Sequence, residues 1–213
     1  AAFGAEESSR VSIVQYDAIS YAAIAGANEK HFGKAFIPNY DFSKAKVVVG
    51  IAADFLSTWL MANEYAPQYA QLRNPDAEMS KHYQFESILS ITGSNADVRV
   101  QLKPSEITGL LSYILTSLGG QSSVNSKISP TLQKAATAVV GDLKKAIGGS
   151  LLVCGTNVLE DQLLTNAINE KLQNYGKSIS LVSELNSFRS EDVKANQLFD
   201  SIINGKGPDV LIN

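Results

Sequence analysis

A mostly parallel α/β fold with helices on both sheet faces is what this sequence predicts, and three observations carry the prediction. Met79 to Leu118 reads as strand, loop, strand and amphipathic helix in succession. Val47 to Ile51 is a near-continuous apolar run of the kind shown by a strand covered on both faces. Strand-to-helix units recur along the chain, and such units in series call for parallel strands joined by right-handed crossovers. The expected result is a layered domain.

Taken in order, Val11 to Tyr16 is short and β-branched and predicts a strand. Asp17 follows it as the N-cap of a helix over Ala18 to His31, with Ile19, Ala22, Ala23 and Ala27 on one face and Gly33 closing it. Val47 to Ile51 is the next strand and ends at Ala53 and Asp54; Phe55, Leu56 and Trp59 lead into a helix over Ala62 to Leu72, stopped before Pro75. Lys81 to Phe85 is a short buried strand with Glu86 at its carboxyl end, and Thr92 to Asn95 is turn-rich. Val98 to Leu102 alternates as a strand. Pro104 then starts a helix whose Ile107, Leu110, Leu111, Ile114, Leu115 and Leu118 share one stripe.

The small, polar run from Gly119 to Ser129 is the best linker candidate. The expected organisation is therefore a Rossmann-like lobe over residues 1–118, a linker over 119–129 and a second α/β lobe over 130–213. Pro130 opens a helix with Leu132, Ala135, Ala136, Val139, Val140, Leu143 and Ile147 on one stripe, ended by Gly148 and Gly149. Leu151 to Cys154 predicts a buried strand, and Asn157 with Glu160 fits a capping-box variant for a helix reaching Tyr175. Ile179 to Val182 is the next strand, and Ser190 caps a helix from about Glu191 to Ile203 that Asn204 and Gly205 stop. Asp209 to Ile212 begins one more strand, so the second lobe is expected to be truncated and the chain to be a piece of something longer.

Composition limits the functional classes. The chain has 213 residues, enough for a core that buries roughly 70% of the unfolded surface. At 45% hydrophobic and 18% charged residues it has an ordinary globular composition. Its net charge of -3 provides no basic excess to neutralise phosphates, which argues against nucleic acid as a partner. No stretch is apolar enough to span a bilayer. The first residues, Ala1 to Glu7, have neither the basic nor the apolar region of a signal peptide. One cysteine, Cys154, and two histidines, His31 and His82, leave little for disulfides, cysteine-ligated clusters or imidazole chemistry.

In open parallel sheets ligands bind at the carboxyl ends of strands. Those ends are Asp17, Asp54, Glu86, the run Cys154 to Asn157, and Glu184. Neither G-x-G-x-x-G nor G-x-x-x-x-G-K-[ST] occurs, so the usual backbone cradle for a pyrophosphate is missing. Glu86 is placed to bind a ribose hydroxyl, but without the glycine loop it has no phosphates to accompany. Asp17, Asp54 and Glu86 would suit magnesium if their strands were adjacent, whereas helix caps and loop acids account for each singly. A row of carboxylates would also repel an anionic cofactor by about 1 kcal/mol or more per close pair. Cys154 stands before a helix N-terminus, which lowers a thiol pKa, yet the plainer reading is a small buried hydrophobe. The plainer readings of His31, His82, Trp59, Tyr65 and Tyr69 are likewise structural, although part of the aromatic group would also suit a partner surface.

Several runs carry a family resemblance: Ala53 to Trp59, Met79 to Glu86, Leu89 to Asp97 and Lys103 to Glu106, together with Val11 to Tyr21 and Ala167 to Lys177. They resemble the molybdopterin oxidoreductase-like region of the iron-sulfur subunit of alternative complex III, a quinol:electron-acceptor oxidoreductase. The likeness covers most of the chain, and Thr92 to Glu106 is its most specific part for the wider superfamily. It implies a Rossmann-like fold similar to the α/β domains of the DMSO reductase family. It also implies a respiratory quinol-oxidising complex on the periplasmic side of the inner membrane. There this region docks other subunits and a separate ferredoxin-like region of its own subunit, which carries the iron-sulfur clusters.

The resemblance further implies that this part holds no molybdenum cofactor. In catalytic relatives the strand corresponding to Tyr83 to Glu86 commonly ends Val-Asp-Pro-Arg, whose aspartate helps bind the guanine nucleotide. Here the run is Phe85-Glu86-Ser87-Ile88: the acid remains and the Pro-Arg does not. No residue is carried over as catalytic, cofactor-binding or metal-ligating. The expectation is a non-catalytic structural and docking domain. The alternative is a fragment of a catalytic enzyme that binds molybdopterin guanine dinucleotide, and a third reading is a stand-alone nucleotide-binding domain using Glu86.

Overall fold

The computed structural model describes residues 12–124, 127–185, 187–188 and 191–208. The chain divides into two compact units, 23–185 and a smaller one comprising 1–22 with 186–213.

In the larger unit the central element is β2 (Val47–Ile51), buried along its whole length. It pairs in parallel with β3 (Lys81–Glu86) on one side and β5 (Ser150–Cys154) on the other. Beyond β3 lies β4 (Val98–Gln101), also parallel, which gives the order β4-β3-β2-β5. The chain thus winds outward from β2 to β4 and then returns across the sheet to β5. The expected parallel α/β architecture is present.

Helices cover both faces. On one side α4 (Ile107–Ser117), α5 (Pro130–Lys145) and α6 (Leu159–Lys171) pack on Val47, Val49, Ile51, Tyr83, Phe85, Leu152 and Cys154. The predicted stripe of α4 is buried from Ile107 to Leu115, and each such side chain contributes about 1.5–3 kcal/mol through removal from water. Pro104–Glu106 forms a 3-10 turn before α4 begins. The stripe of α5 runs only from Leu132 to Leu143, and Ile147 is exposed because Gly148, at φ +76°, turns the chain away.

The opposite face is covered by α2 (Ala62–Gln71) and an aromatic layer of Tyr40, Phe42, Phe55, Trp59, Tyr65 and Tyr69. Phe42 stacks on Phe55 at 4.3 Å, and Phe55 meets the His82 ring at 5.2 Å. The remaining elements of this unit are α1 (Ala22–Phe32), the one-turn α3 (Ile91–Ser94), and a two-stranded antiparallel sheet of β1 (Pro38–Tyr40) with β6 (Ile179–Glu184).

Several expectations are corrected. Residues 12–16 form no strand, and the first helix begins at Ala22 instead of Ala18, where the Ser20 hydroxyl accepts from Ala22 N–H at 3.0 Å. A β-branched run becomes a strand only where a neighbour pairs with it. Thr92 to Asn95 is largely the helical turn α3, capped by Ser90 Oγ accepting from Gly93 N–H at 2.9 Å. Asn157 does not cap α6, whose N-cap is Val158; it reaches across to accept from Ala23 N–H of α1 at 2.8 Å.

Residues on both sides of the expected 119–129 linker build one sheet and one core, since β5 pairs with β2 and α5 packs with α4. A boundary between lobes of 1–118 and 130–213 would cut that pairing. The strand expected at Ile179 to Val182 joins β1, not the parallel sheet, because side chains of α6 already fill the outer edge of β5.

In the smaller unit α7 (Asp192–Ile203) ends at Asn204 with Gly205 at φ +69°, as predicted. Glu191 N–H donates to the Gln15 carbonyl at 3.0 Å, and Tyr16 and Tyr21 meet Phe199 and Phe188 edge-on at 5.5 and 5.2 Å. Ser190, expected as the cap of this helix, and the strand expected from Asp209 lie outside the described residues.

Candidate functional site

The strand order reverses between β2 and β5, and the crevice beyond their carboxyl ends is where a sheet of this topology holds a ligand. At its base the two loops that leave these strands meet main chain to main chain. After β2 the backbone turns at Ala52, which adopts a left-handed φ of +51° at a cost of about 1–2 kcal/mol. After β5, Gly155 donates its N–H to the Ile51 carbonyl at 2.9 Å. A Cβ on Gly155 would collide with the Ala52 carbonyl, so the two loops touch backbone to backbone and only glycine permits it.

The loop after β5 folds onto its own helix. Thr156 Oγ1 donates to Asp161 at 2.8 Å, and Gln162 Nε2 donates to the carbonyls of Thr156 and Cys154 at 2.7 and 3.0 Å. Asn157 is bound to α1 as described. The polar groups that follow β5 thus face the protein interior or a neighbouring helix.

Asp54 and Glu86, at the ends of β2 and β3, both reach α3. Asp54 Oδ1 accepts from Thr92 N–H and Oγ1 at 3.1 and 2.7 Å, and Thr92 Oγ1 in turn accepts from Leu56 N–H at 2.9 Å. Glu86 is 5% exposed. Its Oε1 accepts from Arg99 Nε at 2.6 Å and Ser90 N–H at 3.2 Å, while Oε2 accepts from Ser90 Oγ at 2.6 Å and Gln84 Nε2 at 3.4 Å. Burial pushes this carboxyl up, but hydrogen bonds from Ser90 and Arg99 outweigh it and hold it below the usual carboxylate range. Gly93 presses on the carboxylate so closely that no Cβ would fit between them.

The two acids therefore clamp one helical turn from two strands. Asp17 belongs to the smaller unit, and Glu184 pairs with Lys34 at the surface. Among the described residues no group of three or more His, Cys, Asp or Glu side chains is arranged to hold a metal ion.

Cys154 is 1% exposed, and burial pushes its thiol up to about 11, so it is a protonated thiol at neutral pH. His82 is fully buried between Tyr69 Oη, 3.1 Å from Nδ1, and Gln84 Oε1, 3.3 Å from Nε2; burial pushes it down to about 4, so the ring is neutral. His31 lies 3.5 Å from Glu170 of α6, near the carboxyl end of α1. Trp59, Tyr65 and Tyr69 are buried in the aromatic layer, in line with the packing reading.

One surface feature escaped sequence reasoning. An open groove of about 510 Å³ is lined by Leu56, Ala66, Tyr69, Ala70, Arg73, Ile91 and Asn95. Near it Arg73 pairs with both oxygens of Asp97 at 2.8 Å. Ile88, Leu89 and Ile91 are 81%, 65% and 57% exposed in the loop after β3 and in α3. The local pattern offered no signal, because these residues come from three separate segments.

No protein-family model matches the chain, and a search of curated proteins found no match.

Proposed function

We propose that this chain is a non-catalytic structural and docking domain of a respiratory quinol-oxidising electron-transfer complex, with the shape of a molybdopterin oxidoreductase domain and none of its cofactor. The sequence resemblance supplies the complex. The observation that supports the non-catalytic half is the close approach of Gly155 to Ala52 at the switch point, where the backbone has no glycine-rich loop to open toward a dinucleotide. Asp54, Glu86, Thr156 and Asn157 add to it, because each directs its polar atoms to a partner within the chain. A binding site would have to break those bonds before making its own.

In this reading the partners are the other subunits and the ferredoxin-like region of the same subunit, which holds the iron-sulfur clusters. The chain sits at the periplasmic face of the inner membrane. Exposed Ile88, Leu89 and Ile91 supply apolar surface suited to such docking. No helix among the described residues is long and apolar enough to cross a membrane.

Calorimetric titration of the purified chain with a guanine nucleotide tests the first half, and the expected outcome is no saturation. Saturation at low micromolar concentration, or stoichiometric molybdenum in metal analysis, overturns it in favour of the catalytic-fragment alternative. Cross-linking mass spectrometry on the native membranes tests the second half. Cross-links to a ferredoxin-like region and to membrane subunits are expected, and a chain linked to neither removes the docking role.

A further inference from the structure

Among the described residues β5 has a strand on one side only, and its other edge is met by side chains. Gly149 O accepts from Lys46 N–H at 2.8 Å and Gly155 N–H donates to Ile51 O at 2.9 Å, so these odd-numbered residues face β2. The peptide groups of Ser150, Leu152 and Cys154 accordingly face away from β2. Each of the three meets a side chain. Ser178 Oγ donates to Ser150 O at 2.6 Å, and Gln162 Nε2 donates to Cys154 O at 3.0 Å. Asn169 makes both bonds to Leu152, accepting from its N–H at 3.3 Å and donating to its carbonyl at 2.8 Å.

A primary amide offers a donor and an acceptor in nearly the arrangement of a peptide unit, so Asn169 bonds Leu152 as a residue of an adjacent strand would. The rest of its valence is used as well. Asn169 Nδ2 also donates to Thr165 O at 3.1 Å, and Oδ1 accepts from Asn174 Nδ2 at 2.8 Å. Asn174 Oδ1 accepts from Ser150 Oγ at 3.0 Å, which returns the network to the strand. Asn169, Gln162 and Ser178 are 1%, 3% and 1% exposed, so water does not compete for these bonds.

We infer that Asn169, with Gln162 and Ser178, is a built-in strand substitute that closes this edge of the sheet to any further strand, whether from the same chain or from a second copy. An uncovered edge presents a row of free peptide groups and is a template for association. The helix that follows β5 supplies its own blocker, and among the described residues the sheet has four strands. The inference stands independently of the proposed function.

Amide hydrogen exchange tests it, with the Gly155 N–H, which bonds β2, as the internal standard. In the wild-type chain Leu152 N–H is expected to exchange as slowly as Gly155 N–H, although no strand among the described residues lies beside it. In Asn169→Ala, Leu152 is expected to exchange more than tenfold faster while Gly155 is unchanged, and concentration-dependent self-association absent from the wild type appears in sedimentation. A wild-type Leu152 that exchanges at the rate of an exposed loop overturns the inference, and this measurement decides even if the variant fails to fold. A folded variant with unchanged Leu152 exchange and no added self-association overturns it equally.

Discussion

Tyr83 and Phe85 leave β3 toward α4, α5 and α6, whereas His82, Gln84 and Glu86 leave it toward the side of α2, so one strand serves two unlike interiors. The first is nearly all aliphatic and is held by burial, which is non-directional and tolerates exchange of similar volumes. The second is a line of polar groups among aromatic rings, in which every hydrogen bond has a fixed partner. Tyr69 bonds His82, His82 bonds Gln84, and Gln84 donates to the Ala53 carbonyl at 3.1 Å and to Glu86. Gly50 on β2 makes room for the Gln84 amide, where a Cβ would collide with it. One face thus rests on burial alone, and the other adds directional bonds that set register and loop placement.

Three substitutions can break or sharpen that contrast. The largest effect is expected on the aliphatic face: Phe85→Ala should cost about 3–5 kcal/mol in urea unfolding, with little dependence on pH. A cost below about 1 kcal/mol would mean that burial is not what holds this face.

On the polar face the effect should follow pH. Burial holds His82 at about 4 in the folded chain, below its ordinary 6.5, so the unfolded chain takes up the proton first as pH falls. The neutral ring's full contribution is present above pH 6.5, and about 3 kcal/mol is lost on going down to pH 4. Arg73, Asp97 and Glu86 are the charged groups that bear on this ring, and desolvation outweighs them. His82→Gln should flatten the stability profile between those two pH values. An unchanged slope would show that some other group titrates there.

The smallest effect lies at the amino-terminal rim, where Asp142 accepts from Lys81 Nζ at 2.8 Å and from Tyr83 Oη at 2.6 Å. Lys81 and Tyr83 hold this carboxyl down at about 2, so its contribution is present above pH 3.8 and disappears as pH falls through 2. Solvent screens so open a site, and Asp142→Asn should cost less than about 1 kcal/mol near neutral pH. Thermal melts at low and high salt would check it, and a salt-independent loss of several degrees would place the pair among the core interactions.

Much of the aliphatic face was legible in the sequence. The i, i+3, i+4 recurrence from Ile107 and from Leu132 maps directly onto buried stripes, and the apolar run of β2 reflects its cover on both faces. The polar face and the strand ends were less legible, because their partners are distant in sequence. Asn157 looked like a cap for the helix beside it and instead bonds Ala23, 134 positions away. Glu86 stood out as an acid at a strand end, but nothing local showed that Ser90, Gln84 and Arg99 would absorb its carboxylate. Residues 12–16 had strand composition, but among the described residues no strand pairs with them.

The single tryptophan, Trp59, is 4% exposed and packs against the rings of Tyr40 and Tyr65, at 5.2 and 5.9 Å. Its emission therefore samples the aromatic layer and not the aliphatic one. Fluorescence followed beside circular dichroism, which counts helices throughout, would separate loosening of one sheet face from melting of the whole. A chain with one indole so placed carries its own local gauge.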